Sequence, residues 1–132
     1  VDWKAFCPNH DLNETVISRG HINHTHFSMD YPDEGLRIIS LIPQKEEYFL
    51  GKIEISAHKT IPSSKLPHAE QVCFHIIEGK FVLNYASREY VLKTGDCFAF
   101  PGTQEYECYN PDLLKTASSL LITCPSFIPI VA

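Results

Sequence analysis

The stretch from Glu70 to Asn110, EQVCFHIIEGKFVLNYASREYVLKTGDCFAFPGTQEYECYN, constrains the fold most. Short runs rich in Val, Ile, Phe and Tyr are punctuated by turn signals at Glu78-Gly79, Thr94-Gly95-Asp96 and Pro101-Gly102. The same rhythm extends outward on both sides. Strand-like segments are expected over 36–42, 47–56, 72–77, 80–85, 89–92, 97–100, 104–109 and 118–124. A recurrence of about ten residues with turns between, and no long 3.6-residue periodicity, predicts an all-β sandwich or closed barrel. Residues 57–67 read as a loop, and 111–115 leave room for a single helical turn.

Segments 72–77 and 80–85 predict a hairpin through the two-residue Glu78-Gly79 connection, with Gly79 taking φ > 0. That pairing sets Ile77 opposite Lys80 and Phe74 opposite Leu83. Alternation then puts Val72, Phe74, Ile76, Phe81, Leu83 and Tyr85 on the core face. The opposite face would carry Cys73, His75, Ile77, Lys80, Val82 and Asn84. Cys73, His75, Ile77 and Val82 give that outer face an apolar centre, and exposed apolar patches on small domains tend to be interfaces. A two-fold homodimer is the commonest closed arrangement, so these four residues form the expected dimer interface.

The 132 residues suit one domain, 36–132, preceded by an irregular extension over 1–35 that is rich in Asn, His, Asp and Pro. The formal net charge is -5, and the Lys and Arg residues are scattered, which argues against direct nucleic-acid binding. The five cysteines form no C-x-x-C pair and read as reduced, mostly buried thiols. No apolar run approaches the ~20 residues of a membrane span, and no signal peptide supports use of the sequons at Asn13 and Asn23. Cys7, His10, His21, His24 and His26 have spacing that zinc sites use, but the first half lacks a second Cys, so no metal is assigned to them. No nucleophile, Walker or dinucleotide motif occurs, so no catalytic residue is expected.

The order of strands and turns resembles the cupin fold. Metal-binding cupins carry a His-x-His motif with a following carboxylate, then G-x5-P-x-G-x2-H-x3-N, and the four inward donors converge on one ion. The second motif aligns through Gly95, Pro101 and Asn110, but Tyr106 stands at its histidine and Thr103 at its second glycine. Anchoring the first motif on Gly79 puts Val72 at the carboxylate position. Its histidine positions fall on Lys65 and Pro67, or on Leu66 and His68, so at most one of the four ligands survives. The expectation is a cupin-type jelly-roll barrel with no metal and no other cofactor. His68 reads as a loop histidine beside Pro67.

Within the cupins the chain resembles the C-terminal domain of centromere protein C (CENP-C). The landmarks are Gly51-Lys52-Ile53, the strand Val72-Cys73-Phe74-His75-Ile76, the run Tyr90 to Pro101 that looks like Y-x-L-x-T-G-D-x-F-x-V-P, then Tyr106, Asn110 and Ser119 to Thr123. They span residues 51–124 in ungapped order. The segment Gly102-Thr103-Gln104-Glu105 departs from the family's Gly-Asn-x-Tyr, which alters the loop at the barrel mouth. The resemblance implies a non-enzymatic homodimerisation and docking module of an inner-kinetochore scaffold in the nucleus. It implies a partner that assembles centromeric histone, and contacts with centromeric chromatin through regions outside this chain. Tyr106 and Tyr109 at the barrel rim are the expected partner-binding residues, and the contact is expected to be apolar and to survive salt. The alternative is a cupin enzyme or small-ligand sensor with a metal-free pocket lined by Tyr85, Gln104, Tyr106 and Cys108. The inward Phe74, Ile76, Phe81 and Leu83 weigh against it by filling a narrow barrel.

Overall fold

The computed structural model describes residues 28–43 and 46–127. The strands are β1 (Ser28–Tyr31), β2 (Leu36–Ser40), β3 (Phe49–Ile55), β4 (Thr60–Ile61), β5 (Gln71–Glu78), β6 (Lys80–Tyr85), β7 (Arg88–Lys93), β8 (Cys97–Phe100), β9 (Tyr106–Tyr109) and β10 (Ala117–Cys124). They form two antiparallel sheets. The larger has six strands in the order β1-β2-β3-β10-β5-β8, and the smaller has four in the order β4-β9-β6-β7. The non-sequential neighbours are those of a jelly roll, as expected. Among the described residues the helical structure is one 3-10 turn at Ser63–Lys65, and no helix is long and apolar enough to cross a membrane.

Alternation in each strand follows from the pleat. β3 buries Phe49, Gly51, Ile53 and Ile55 and half-exposes the residues between. β5 buries Val72, Phe74 and Ile76, and β6 buries Phe81 and Leu83. The inward parity read from the sequence therefore holds, and the core is a cluster of aliphatic and aromatic side chains between the two sheets. Burying one such side chain contributes about 1.5–3 kcal/mol.

The expected hairpin across Glu78-Gly79 does not form. β5 pairs with β10 and β8, whereas β6 pairs with β7 and β9. Gly79, at φ 82, carries the chain from one sheet to the other. A Cβ on it would lie 3.1 Å from Cβ of Ala117, so the crossing is also close-packed. The hairpin of the smaller sheet joins β6 to β7 through Ala86 and Ser87, both at positive φ (52 and 62). Those dihedrals belong to a mirror-image turn that usually recruits Asn or Gly, and Ala-Ser gives no such signal.

Residues 28–31 of the assigned extension form β1, which pairs with β2 at the end of the larger sheet. Cys7, His10, His21, His24 and His26 lie outside the described residues. Residues 111–115 form no helical turn. Asp112 Oδ1 instead accepts hydrogen bonds from the backbone N–H of Leu114 (2.8 Å) and Lys115 (3.1 Å). These bonds hold the Asp112 carboxyl below its usual range, with Lys115 and Lys80 adding to the effect.

Candidate functional site

The interior at the β5, β8 and β9 end is where a metal-binding cupin gathers its donors. Here rings fill it. Phe74 lies 6.0 Å from Phe81, 6.0 Å from Phe100 and 6.5 Å from Tyr106, centroid to centroid. Phe100 in turn meets Tyr106 edge-on at 4.9 Å and Tyr85 at 4.9 Å. Such spacings are favourable aromatic contacts. Val72 is fully buried behind them, with Phe100 as its register partner on β8.

Tyr106 is buried and its hydroxyl donates to the backbone carbonyl of Pro67. Burial, with the Cys108 thiol beside it as a lesser cause, pushes the phenol far above its ordinary range. Burial does the same to the Cys108 thiol, followed by the charge of Glu107. Neither group can ionise at neutral pH. The loop above is pinned by His68, whose Nδ1 lies 2.8 Å from the carbonyl oxygen of Gly102 and whose Nε2 lies 2.8 Å from that of Ser63. Its ring also meets Tyr106 edge-on at 5.3 Å.

These residues do not fit the metal that the cupin fold often carries. Val72 offers no donor, the Tyr106 hydroxyl is committed to Pro67, and both His68 nitrogens face backbone oxygens. Among the described residues no group of three His, Cys, Asp or Glu side chains could hold an ion. Asn110, aligned with the last residue of the metal motif, is buried and structural. Its Nδ2 donates to the carbonyls of Ile55 (2.9 Å) and Lys115 (2.8 Å), and its Oδ1 accepts from the N–H of Asp112 (3.0 Å).

The outer face of the larger sheet carries a second group of polar and thiol side chains. Register places Ile39, Lys52, Leu120, His75 and Cys97 in one row across the larger sheet. Leu50, Ile122, Cys73 and Ala99 form the next row. Most of these side chains are half-buried, and Cys97 and Ala99 are exposed. His75 Nδ1 lies 2.9 Å from Cys97 Sγ. Burial raises the pKa of the Cys73 thiol, and the neighbouring Cys97 adds to it.

The four expected dimer residues are not on one face. Cys73 and His75 point out from the larger sheet. Ile77, 42% exposed, sits where the β5–β10 register skips between Ile76↔Ser119 and Glu78↔Ser118. Val82 is on the other side of the molecule, outward from the smaller sheet. The reason is the sheet crossing at Gly79, which sends one outward parity in two opposite directions.

The expected partner residues separate as well. Tyr106 is not at the rim but inside the barrel, three positions before Tyr109 on β9. An odd separation on a strand forbids a common face. Tyr109 points outward in register with Val82, which pairs with Val91. Cys108 and Tyr106 keep the inward parity expected of them, whereas Gln104 is exposed and precedes β9.

Sequence reasoning missed a basic patch. Lys80 and Lys93 are direct partners on β6 and β7, and with Gly79, Thr94, Pro111 and Asp112 they line a cleft of about 440 Å3. The two lysines share the outward parity of Val82 and Val91, a regularity visible in the sequence only once the true β6–β7 pairing is known.

No curated protein matches the chain. Among solved structures it is similar to the cupin domain of Schizosaccharomyces pombe Cnp3, at 17% identity and a TM-score of 0.62, covering 75% of this chain and 68% of that one. It is similar to an RmlC-like cupin from Shewanella frigidimarina (20% identity, TM-score 0.64, covering 82% and 88%). It is also similar to an HTH_3-family transcriptional regulator from Vibrio cholerae (18%, 0.61, covering 83% and 59%). At these identities the likeness is one of fold. The Cupin_2 cupin domain matches residues 52–118, just over half of the sequence and every strand from β4 to β9, so the chain belongs to the cupin domain family.

Proposed function

We propose that this chain is a homodimerisation and protein-docking module of an inner-kinetochore scaffold, acting at the centromere in the nucleus, and not an enzyme. The observation that carries the reading is the filled interior. Phe74, Phe100, Tyr106 and Val72 occupy the space where cupin chemistry takes place, and burial holds the Tyr106 phenol in its neutral form. The same filling disfavours a small-ligand sensor. The ordered landmarks from Gly51 to Thr123 that resemble centromere protein C favour the centromere setting, and the fold likeness to the Cnp3 cupin is compatible with it.

The dimer face in this reading is the outside of the larger sheet. Six strands about 4.8 Å apart and up to about 26 Å long give a face of roughly 600 Å2, of the order of the ~800 Å2 that one side of a stable interface buries. Ile39, Leu50, Leu120 and Ile122 supply its apolar centre, with Cys73 and His75 beside them. The partner is a factor that assembles centromeric histone, and chromatin is reached through regions outside this chain.

Size exclusion with light scattering tests the reading. A dimer mass at tens of micromolar is expected, and Leu120→Arg should convert it to a folded monomer, because an unpaired charge buried in an interface costs several kcal/mol. A monomeric wild type refutes the dimer. Elemental analysis of protein prepared without chelator should find no stoichiometric iron or manganese, and one such ion per chain refutes the non-enzymatic reading.

A further inference from the structure

Cys97 and His75 are direct partners across β8 and β5. At the neighbouring position the Ile76 N–H donates to the carbonyl of Asp96 (2.9 Å). The Cys97–His75 pair therefore falls at a non-hydrogen-bonded site, where side chains of an antiparallel ladder stand closest. His75 Nδ1 lies 2.9 Å from Cys97 Sγ. β8 ends the larger sheet and leaves Cys97 exposed, whereas His75 is half-buried, flanked in register by Cys97 and Leu120. Cys73, on the same outward parity of β5, brings a second thiol to this face. The set is not a metal site, because no three such donors among the described residues could hold an ion. What it does contain is a thiol beside a base, the pairing of an activated nucleophile. Burial, and then the charge of Cys97, raises the pKa of Cys73, so Cys97 is the thiol that reacts. Cys97 lines neither the cleft of Lys80 and Lys93 nor the one that includes Asp30 and Glu54. A nucleophile on an open sheet edge has no walls to orient an ester, amide or phosphoryl group. A small disulfide needs none, because it brings its own leaving group and the charge passes to the departing sulfur.

We propose that Cys97 is a covalent modification site, a thiol that His75 activates for exchange with small charged disulfides, and that the adduct keeps a second copy off the larger sheet. The first part stands on the Cys97–His75 geometry alone, and the second rests on the dimer reading. In the exchange His75 Nδ1 takes the thiol proton as Sγ attacks one sulfur of the disulfide. The new S–S bond forms as the old one breaks, and the departing thiolate takes the proton back from the imidazolium. Cys97 is oxidised to a mixed disulfide, the departing sulfur is reduced, and one small thiol is released. The adduct then stands in the row of His75 and Leu120, on the face assigned to the second copy. It brings charged groups into a contact whose centre is apolar, and burying them unpaired is costly.

The test incubates the whole chain with glutathione disulfide near neutral pH, times the adduct by intact mass and locates it by peptide mapping. Cys97 should be modified first, and Cys97→Ser should lose that fast phase. His75→Ala should slow it about tenfold or more. A histidine that merely shields the thiol would do the opposite, because its removal uncovers Cys97. His75→Gln keeps bulk without a base and should be as slow as His75→Ala, which serves if the alanine variant fails to fold. Unchanged or faster modification in a folded His75 variant overturns the proposal, as does an adduct that forms first on another cysteine. The modified protein should run at monomer mass and return to dimer with reductant, while Cys97→Ser stays dimeric in the same disulfide. Modified protein that remains dimeric overturns the second part. If untreated wild type is monomeric and Cys97 still reacts through His75, the dimer reading falls and the modification site stands.

Discussion

Gly102→Ala probes the packing that stands in place of a metal site. Gly102 is buried, and its backbone lies outside the left-handed region, so alanine is conformationally acceptable there. The obstacle is space. An added Cβ would lie 2.3 Å from Cγ2 of Val72 and 3.0 Å from the carbonyl oxygen of Ala69. Carbon atoms pack best at about 3.5–4.0 Å, so more than an ångström must be found. Val72 cannot easily give it, being stiff at χ1 and set in a strand paired on both sides, to Thr123 and to Phe100. The loop cannot easily retreat either, because the Gly102 carbonyl is fixed by His68. Overpacking of this kind costs about 1–3 kcal/mol, and about 2 kcal/mol lowers the melting temperature of a domain of this size by roughly 8–16 °C. Val72→Ala alone removes the two γ carbons and should cost about 1–3 kcal/mol through the cavity. In the double variant the alanine methyl enters the space left by Cγ2. The two losses should then sum to less than their parts by about 1 kcal/mol or more, well outside the ~0.5 kcal/mol scatter of independent sites. Denaturant unfolding of the four proteins measures this directly. Additive losses, or a Gly102→Ala protein as stable as wild type, would refute the claim that Val72 and Gly102 are locked together.

Further outcomes can be checked with the same protein. Phe74→Ala, at the centre of the ring cluster, should cost about 3–5 kcal/mol of fold stability in denaturant melts while leaving the folded fraction dimeric. Asn110→Ala removes three hydrogen bonds and leaves the Ile55 carbonyl buried, so about 2–3 kcal/mol should be lost, and the amide of Asp112 should exchange faster with solvent. Asp112 has a lowered pKa when folded, so its support for the 110–115 loop is complete above the ordinary carboxylate range and disappears only as pH falls through the lower folded value. Amide exchange of Leu114 and Lys115 across that acid window should show protection falling, and loss of protection already in mild acid would be inconsistent with it. If the proposed dimer covers Cys97, iodoacetamide should label it faster in the Leu120→Arg variant than in the wild type, and it should spare the buried Cys108 until unfolding.

Much of the fold was legible because its signals are local. Strands β6 and β8 have the expected boundaries, and inward alternation in β3, β5 and β6 could be read from residue order alone. Pairing was not legible where two turns compete. Glu78-Gly79 carries the glycine and looked like the hairpin, yet it links the sheets, while Ala86-Ser87 makes the hairpin with no turn residue to announce it. Turn propensity is a weak preference that packing overrides: with the Phe81 ring 6.0 Å from that of Phe74 in the core, β6 lies over β5 and not beside it. The misplacement of Val82 follows from that one error. Tyr106 was correctly inward by parity and wrongly assigned to the rim. Its motif position pointed to the barrel interior, which its bond to Pro67 now explains.

Packing Phe74, Phe100 and Tyr106 into the interior ties the two sheets together, since side chains of each pack on the other. A rigid sheet can hold an outward row of side chains in fixed register, which a loop cannot do. The two outer faces differ in kind. The larger carries Ile39, Leu50, Leu120 and Ile122 in adjoining rows, a broad apolar surface suited to a copy of itself. The smaller carries one apolar row between a cationic row and an anionic one, and it ends in the strand β7. A two-fold partner places each row of one subunit against its counterpart, so a self-contact centred on Lys80 and Lys93 would oppose four like charges. Self-association on that side is therefore disfavoured by its own charges, which is why the proposed dimer is assigned to the larger sheet.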